Sequence, residues 1–179
     1  NVKFNKKIEP QELIDQDLSL TSAFCKSVLC LLANRKPKDF KTHHTIRIRD
    51  IFIESKKDQL HHIFPVKSLI GKKHGDLIDS LVNMCFLPKD TNIRIKNDNP
   101  SAYLKKCKEE NKSFNEDVAS HLIPLDLALK DDYLSFLKER AEMIKKEIYK
   151  LVGISDLIEE EIETNASKVI DKYEIKIRE

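Results

Sequence analysis

Glycine is nearly absent: there are three in 179 residues, Gly71, Gly75 and Gly153. No glycine loop of the kind that cradles phosphates can be found, which removes the usual signature of nucleotide handling. Scarce glycine together with plentiful Lys, Ile and Asn indicates a helix-rich chain. Cysteine is also sparse and scattered, as Cys25, Cys30, Cys85 and Cys107, with no CxxC pair. That spacing argues against a thiolate-held structural zinc. Cys25 and Cys30 lie in an apolar helical run and Cys85 in an apolar strand, so reduced, structural thiols are expected. No apolar run is long enough to span a membrane, and there is no signal-peptide pattern, so a cytoplasmic protein away from membranes is expected. The chain runs from Asn1 to Glu179 without a leader and reads as a piece of a longer protein. It is long enough to bury a real core.

Charge is abundant, but the net value of +2 hides a partition. Residues 35–112 hold 18 Lys and Arg against 10 Asp and Glu, or +8, whereas the remainder holds 14 against 20, or −6. A polyanionic partner favours such a basic segment, because Lys and Arg beside phosphates release counterions. A solvated lysine-rich surface is the plain alternative.

Along the chain, Leu20, Phe24, Val28, Leu31 and Leu32 predict an amphipathic helix over Ser19 to Asn34, ending before Pro37. Thr42 to Glu54 suggests a strand or extended lead. Pro100 and Ser101 open a helix to about Glu110, with Ser101 as the N-cap. Tyr133, Phe136, Leu137, Ile144, Ile148 and Leu151 mark a helix of about twenty residues between Asp131 and Gly153. Beyond it, residues 153–179 are acidic and then mixed, with alternation in YEIKIRE suggesting a short strand; this extension has no assigned role.

The centre of the chain is Asp58 to Leu104. Gln59 to Phe64 reads as a strand stopped by Pro65, with Leu60, His62 and Phe64 on one face and His61 and Ile63 on the other. Asp76 to Val82 is read as a helical turn that delivers Asn83. Met84 to Leu87 is a second strand, closed by Pro88 and followed by the helix-compatible DTNIRIK. His61, His62, Asn83 and Asn92 converge only if the chain doubles back, and this pattern says that it does.

HHIFP followed by SLVNMCFLPKDTNIRIK resembles the HNH endonucleases, whose ββα-metal motif has a doublet ending the first strand, an asparagine before the second, and an Asn or His on the helix. More closely, it is similar to the C-terminal HNH domain of GmrSD-type restriction enzymes, which cut modified phage DNA. HLIP and YLSFLKERAEMIKKEI resemble that family's closing segment, so the likeness covers roughly residues 20 to 152. It implies an α+β, mostly helical fold with a ββα-metal core embedded in flanking helices, and a nuclease domain over residues 1–152. It also implies a missing N-terminal domain that handles nucleotide and recognises the DNA. Oligomerisation is left open.

The resemblance assigns His62 as the general base, and an imidazole with a reference pKa near 6.5 suits that task at neutral pH. By the same resemblance His61 binds the cation where many relatives have Asp, Asn92 is the helix ligand, and Asn83 orients the catalytic histidine and its loop. Asp90 is a possible extra ligand. Amide oxygen suits Mg²⁺ or Mn²⁺, while imidazole tilts the choice toward Mn²⁺, Ni²⁺ or Zn²⁺. Lys89, Arg94 and Lys96 flank Asn92 and are expected on the DNA backbone, with Lys72, Lys73 and His74 of the GKKHGD loop as further phosphate contacts. His43 and His44 form a second doublet in a polar loop without a downstream partner at motif spacing, and His121 reads as structural. The expected activity is metal-dependent hydrolysis of DNA phosphodiester bonds within a restriction or phage-defence protein. The alternative is an inactive HNH-like DNA-binding or regulatory domain.

Overall fold

The longest helix organises the rest. In the computed structural model, which describes residues 7–49, 60–71 and 73–153, α8 (Tyr133–Leu151) starts where the Asp132 carboxylate accepts the Ser135 N–H at 3.2 Å. Tyr133, Phe136, Leu137, Ala141 and Ile144 are buried along one stripe, as helical spacing requires. Leu151, expected on that stripe, is exposed, and Gly153 then takes a left-handed φ of 69°. α1 (Pro10–Ile14) packs on α8, tied by the Ile8 N–H to the Tyr149 hydroxyl at 3.1 Å.

α2 (Ala23–Asn34) begins later than expected, because the Ser22 hydroxyl caps it by accepting the Cys25 N–H. Val28, Leu29, Leu31 and Leu32 are buried, each worth roughly 1.5–3 kcal/mol relative to exposure. Phe24 and Cys30, both expected in the apolar run, are exposed instead. The first lies a turn too early to reach the core. Residues 42–49 are not a strand: Thr45 makes an isolated bridge to Lys38, and Ile48 and Arg49 are helical. The remainder of that expected segment, and the YEIKIRE alternation, lie outside the described residues.

A two-stranded antiparallel sheet sits at the centre. β1 (Leu60–His62) pairs with β2 (Met84–Phe86), with Leu60 opposite Phe86, His61 opposite Cys85 and His62 opposite Met84. Both strands are shorter than expected. Ile63 and Phe64 leave the ladder, and Pro65 starts the short helix α3 (Val66–Leu69), which was not anticipated. Two 3-10 turns, Gly75–Leu77 and Leu81–Asn83, carry the chain back to β2. Pro88 then presets the entry to α4 (Lys89–Ile95).

α5 (Pro100–Glu110) follows, with Pro100 already inside its first turn, where its missing N–H is not needed. Ser101 is therefore not the cap. Its N–H and hydroxyl both donate to Asp131, at 2.9 and 2.6 Å, tying α5 to the start of α8. α6 (Phe114–Ser120) and α7 (Leu125–Leu129) complete the mostly helical α+β architecture. No helix among the described residues is long and apolar enough to cross a membrane.

Candidate functional site

Strand alternation sends the two central histidines in different directions. His61 points inward, 4% exposed, and His62 outward, its side chain 27% exposed. His61 Nδ1 lies 2.7 Å from Asn92 Oδ1, which brings together groups 31 residues apart. An amide oxygen only accepts, so Nδ1–H donates and the buried Nε2 is left with no hydrogen-bond partner. Burial is the main reason the His61 pKa falls from 6.5 to about 4; the Asn92 hydrogen bond raises it, and His62 lowers it further. His61 is therefore neutral at physiological pH. The Tyr103 ring stands edge-on to it with centroids 5.8 Å apart, and the Tyr103 hydroxyl donates to Ile63 O at 2.9 Å, fixing the exit of β1.

Asn83 is fully buried and acts as a clamp. Its Oδ1 accepts the Phe64 N–H at 2.9 Å, and its Nδ2 donates to Phe64 O at 3.1 Å and Ile78 O at 3.0 Å. Its own carbonyl accepts from Ile63 at 2.9 Å. One amide thus holds the segment after the histidines against the turn before β2. Removing it leaves three backbone groups unpaired.

His62 Nε2 donates to Asp79 Oδ1 at 3.0 Å. A carboxylate there selects the tautomer whose other nitrogen, Nδ1, carries the lone pair. Sequence reasoning missed Asp79; its sole signal is its place in the turn just ahead of Asn83.

Arg140 is the other unexpected participant. Fully buried on the α8 stripe, it donates to Leu122 O, His121 O and Val82 O, the last being the carbonyl next to Asn83. Burial lowers its pKa to about 10, and no carboxylate contacts it among the described residues. Cys85 lies beside it, its thiol pushed up to about 12 by burial with Arg140 opposing, as suits a buried hydrophobe.

The remaining expected residues scatter. Asp90 is exposed on α4 and lines a groove with Lys89 and Arg94, also exposed. Lys96 caps α4 at the exposed C-terminal end, Lys73 is exposed, and Lys72 lies outside the described residues. His74 lines a separate cavity of about 280 Å³ with Phe64 and Tyr133. His43 belongs to no candidate site: it pairs with the fully buried Asp117 at 2.6 Å. His121 is buried and donates from Nε2 to Lys38 O at 2.7 Å, a structural histidine.

Whether a divalent ion suits the His61 and Asn92 pair can be judged from their chemistry. Two cis ligands about 2.1 Å from an octahedral ion stand about 3.0 Å apart, close to the 2.7 Å observed. Moving the proton from Nδ1 to Nε2 exposes a lone pair beside an amide oxygen, so the two donors fit a cation. Among the described residues no group of three or more His, Cys, Asp and Glu could hold a metal. The remaining positions would thus fall to water and substrate oxygens.

No family model matches the chain, and no solved structure matches it. It is similar to an uncharacterized protein of Methanocaldococcus jannaschii, 28% identical over 159 residues that cover 86% of the chain. The chain spans 24% of that protein's length.

Proposed function

We propose that the chain is the cleavage domain of a divalent-metal-dependent endonuclease of the HNH type, acting on DNA. The observation that carries this reading is the approach of His61 Nδ1 to Asn92 Oδ1 across a strand–strand–helix unit, with His62 on the adjacent residue. Donors of that kind at a strand end and a facing helix are what a ββα-metal site requires.

His61 and Asn92 would hold the ion, which supplies Lewis-acid neutralisation of the charge that develops on the phosphate. His62, which leaves the strand on the face opposite His61, would take a proton from water at Nδ1 where the strand ends, while Asp79 holds Nε2–H and steadies the imidazolium that forms. Asn83 keeps the doublet and the 3-10 turn in register and touches no substrate. Contacts to the sugar-phosphate backbone carry little sequence information. Selectivity for sequence or modification would then reside in another part of a longer restriction or phage-defence protein, a reading compatible with the greater length of the archaeal relative.

The inactive DNA-binding reading is favoured by one observation: among the described residues no carboxylate joins His61 and Asn92, and the one on α4, Asp90, is exposed. Nicking of supercoiled plasmid separates the two. With Mn²⁺ or Mg²⁺ the chain is expected to nick DNA, and His62→Ala to lower the rate about 10²- to 10⁴-fold with the fold intact. Absence of metal-dependent nicking, or near-normal nicking by His62→Ala, would remove the assignment.

A further inference from the structure

A groove of about 470 Å³ runs beside the helix that carries Asn92. One wall is α4, with Lys89, Asp90 and Arg94; the other is the loop over residues 41–47, with Lys41, His44 and Arg47. Lys41 pairs with Glu110 at 2.6 Å, on the side of the loop near α5. Arg47 and Lys89 are exposed and make no ion pair among the described residues.

The loop is built to hold its shape. Phe40 O accepts from Asn111, the Thr42 hydroxyl donates to Asp39, and Asp39 N–H and Ile46 N–H donate to His44 O and Pro37 O. His43 sits at φ 62°, a conformation that few non-glycine residues adopt, and its ring is fixed by the buried Asp117. Asp117 is in turn held by Asn111 at 2.7 Å. Buried polar residues from α6 and its lead-in are thus committed to fixing a surface loop. Such bracing favours binding at this surface, because a preorganised loop loses less entropy on contact. A strained residue held by its surroundings is a further mark of such a place.

We infer that this groove is the track for the DNA strand beside the scissile phosphate, with Arg47 from the loop and Lys89 from α4 gripping phosphodiester oxygens from opposite walls. The choice of DNA rests on the nuclease reading; the groove itself rests on shape and charge. The loop therefore belongs to the substrate surface, although it lies well before the strand–strand–helix unit in sequence.

The test is fluorescence anisotropy of a labelled DNA duplex bound by the full chain in EDTA, across a salt series. No cleavage occurs under these conditions, so the result is independent of catalysis. Arg47→Ala and Lys89→Ala should each weaken binding and flatten the slope of log affinity against log salt by about one. The double variant should flatten it by about two. Lys138→Ala, an exposed lysine in the cleft between α1 and α8, should bind as the unaltered chain does. Unchanged affinity and slope in Arg47→Ala, an equal loss in Lys138→Ala, or no DNA binding by the unaltered chain would overturn the inference. If Arg47→Ala weakens binding but Mn²⁺ supports no nicking, the groove stands and the nuclease reading falls.

Discussion

Two histidine doublets occur in this chain, and they sit in different surroundings. His43 and His44 lie in a loop where His43 meets a buried carboxylate and the local polar groups are largely paired with one another. His61 and His62 end a strand where His61 faces a neutral amide and keeps one buried nitrogen without a partner. Each region has an asparagine clamp: Asn111 for the first, Asn83 for the second. Each also has a buried histidine whose pKa falls to about 4, His121 and His61. Each also keeps one buried side-chain atom without a hydrogen-bond partner, Asp39 Oδ1 and His61 Nε2, so the difference lies in what each doublet meets. A histidine held by a buried carboxylate braces the backbone, whereas an imidazole set against a neutral amide offers two uncharged ligand atoms side by side.

The clamps give the largest expected effect. Asn83→Ala and Asn111→Ala each strand buried backbone or side-chain groups, and each should destabilise the fold by on the order of 3 kcal/mol, read as a shift in the urea midpoint. Only Asn83→Ala should also abolish metal-dependent nicking at a temperature where both variants remain folded. Equal activity in the two would erase the distinction between the regions.

Acid should act on both regions together. For His121, burial dominates, the hydrogen bond to Lys38 O raises the pKa, and nearby Arg140 lowers it. The folded pKa of about 4 lies below the unfolded value of 6.5, so the unfolded state binds the proton more readily. Stability is thus fully present above pH 6.5 and is lost progressively as pH falls toward 4, by roughly 3 kcal/mol for such a histidine. Urea midpoints at pH 7 and pH 5 measure the loss, and His121→Gln should flatten the pH dependence without removing it, because His61 contributes in the same window.

The strand–strand–helix unit was legible because local signals agreed: alternation at His61 and His62, and the stops at Pro65 and Pro88. Helix stripes were legible for the same reason, except at their ends, where Phe24 and Leu151 reach solvent. What could not be read depends on contacts between distant positions. Asp117 braces His43 from 74 residues away, and nothing in a polar loop foretells it. Arg140 occupies an apolar stripe, where a guanidinium reads as surface until three carbonyls converge on it. Asp79 meets His62 through a turn whose path no periodicity describes.

The comparison of the doublets is tested most directly by Mn²⁺ binding, followed through the electron paramagnetic resonance signal of the free ion. The unaltered chain should bind Mn²⁺, His61→Ala should weaken that affinity about tenfold or more, and His43→Ala should leave it unchanged while lowering the melting temperature. Unchanged Mn²⁺ affinity in His61→Ala, or its loss in His43→Ala, would contradict the assignment of the cation to the second doublet.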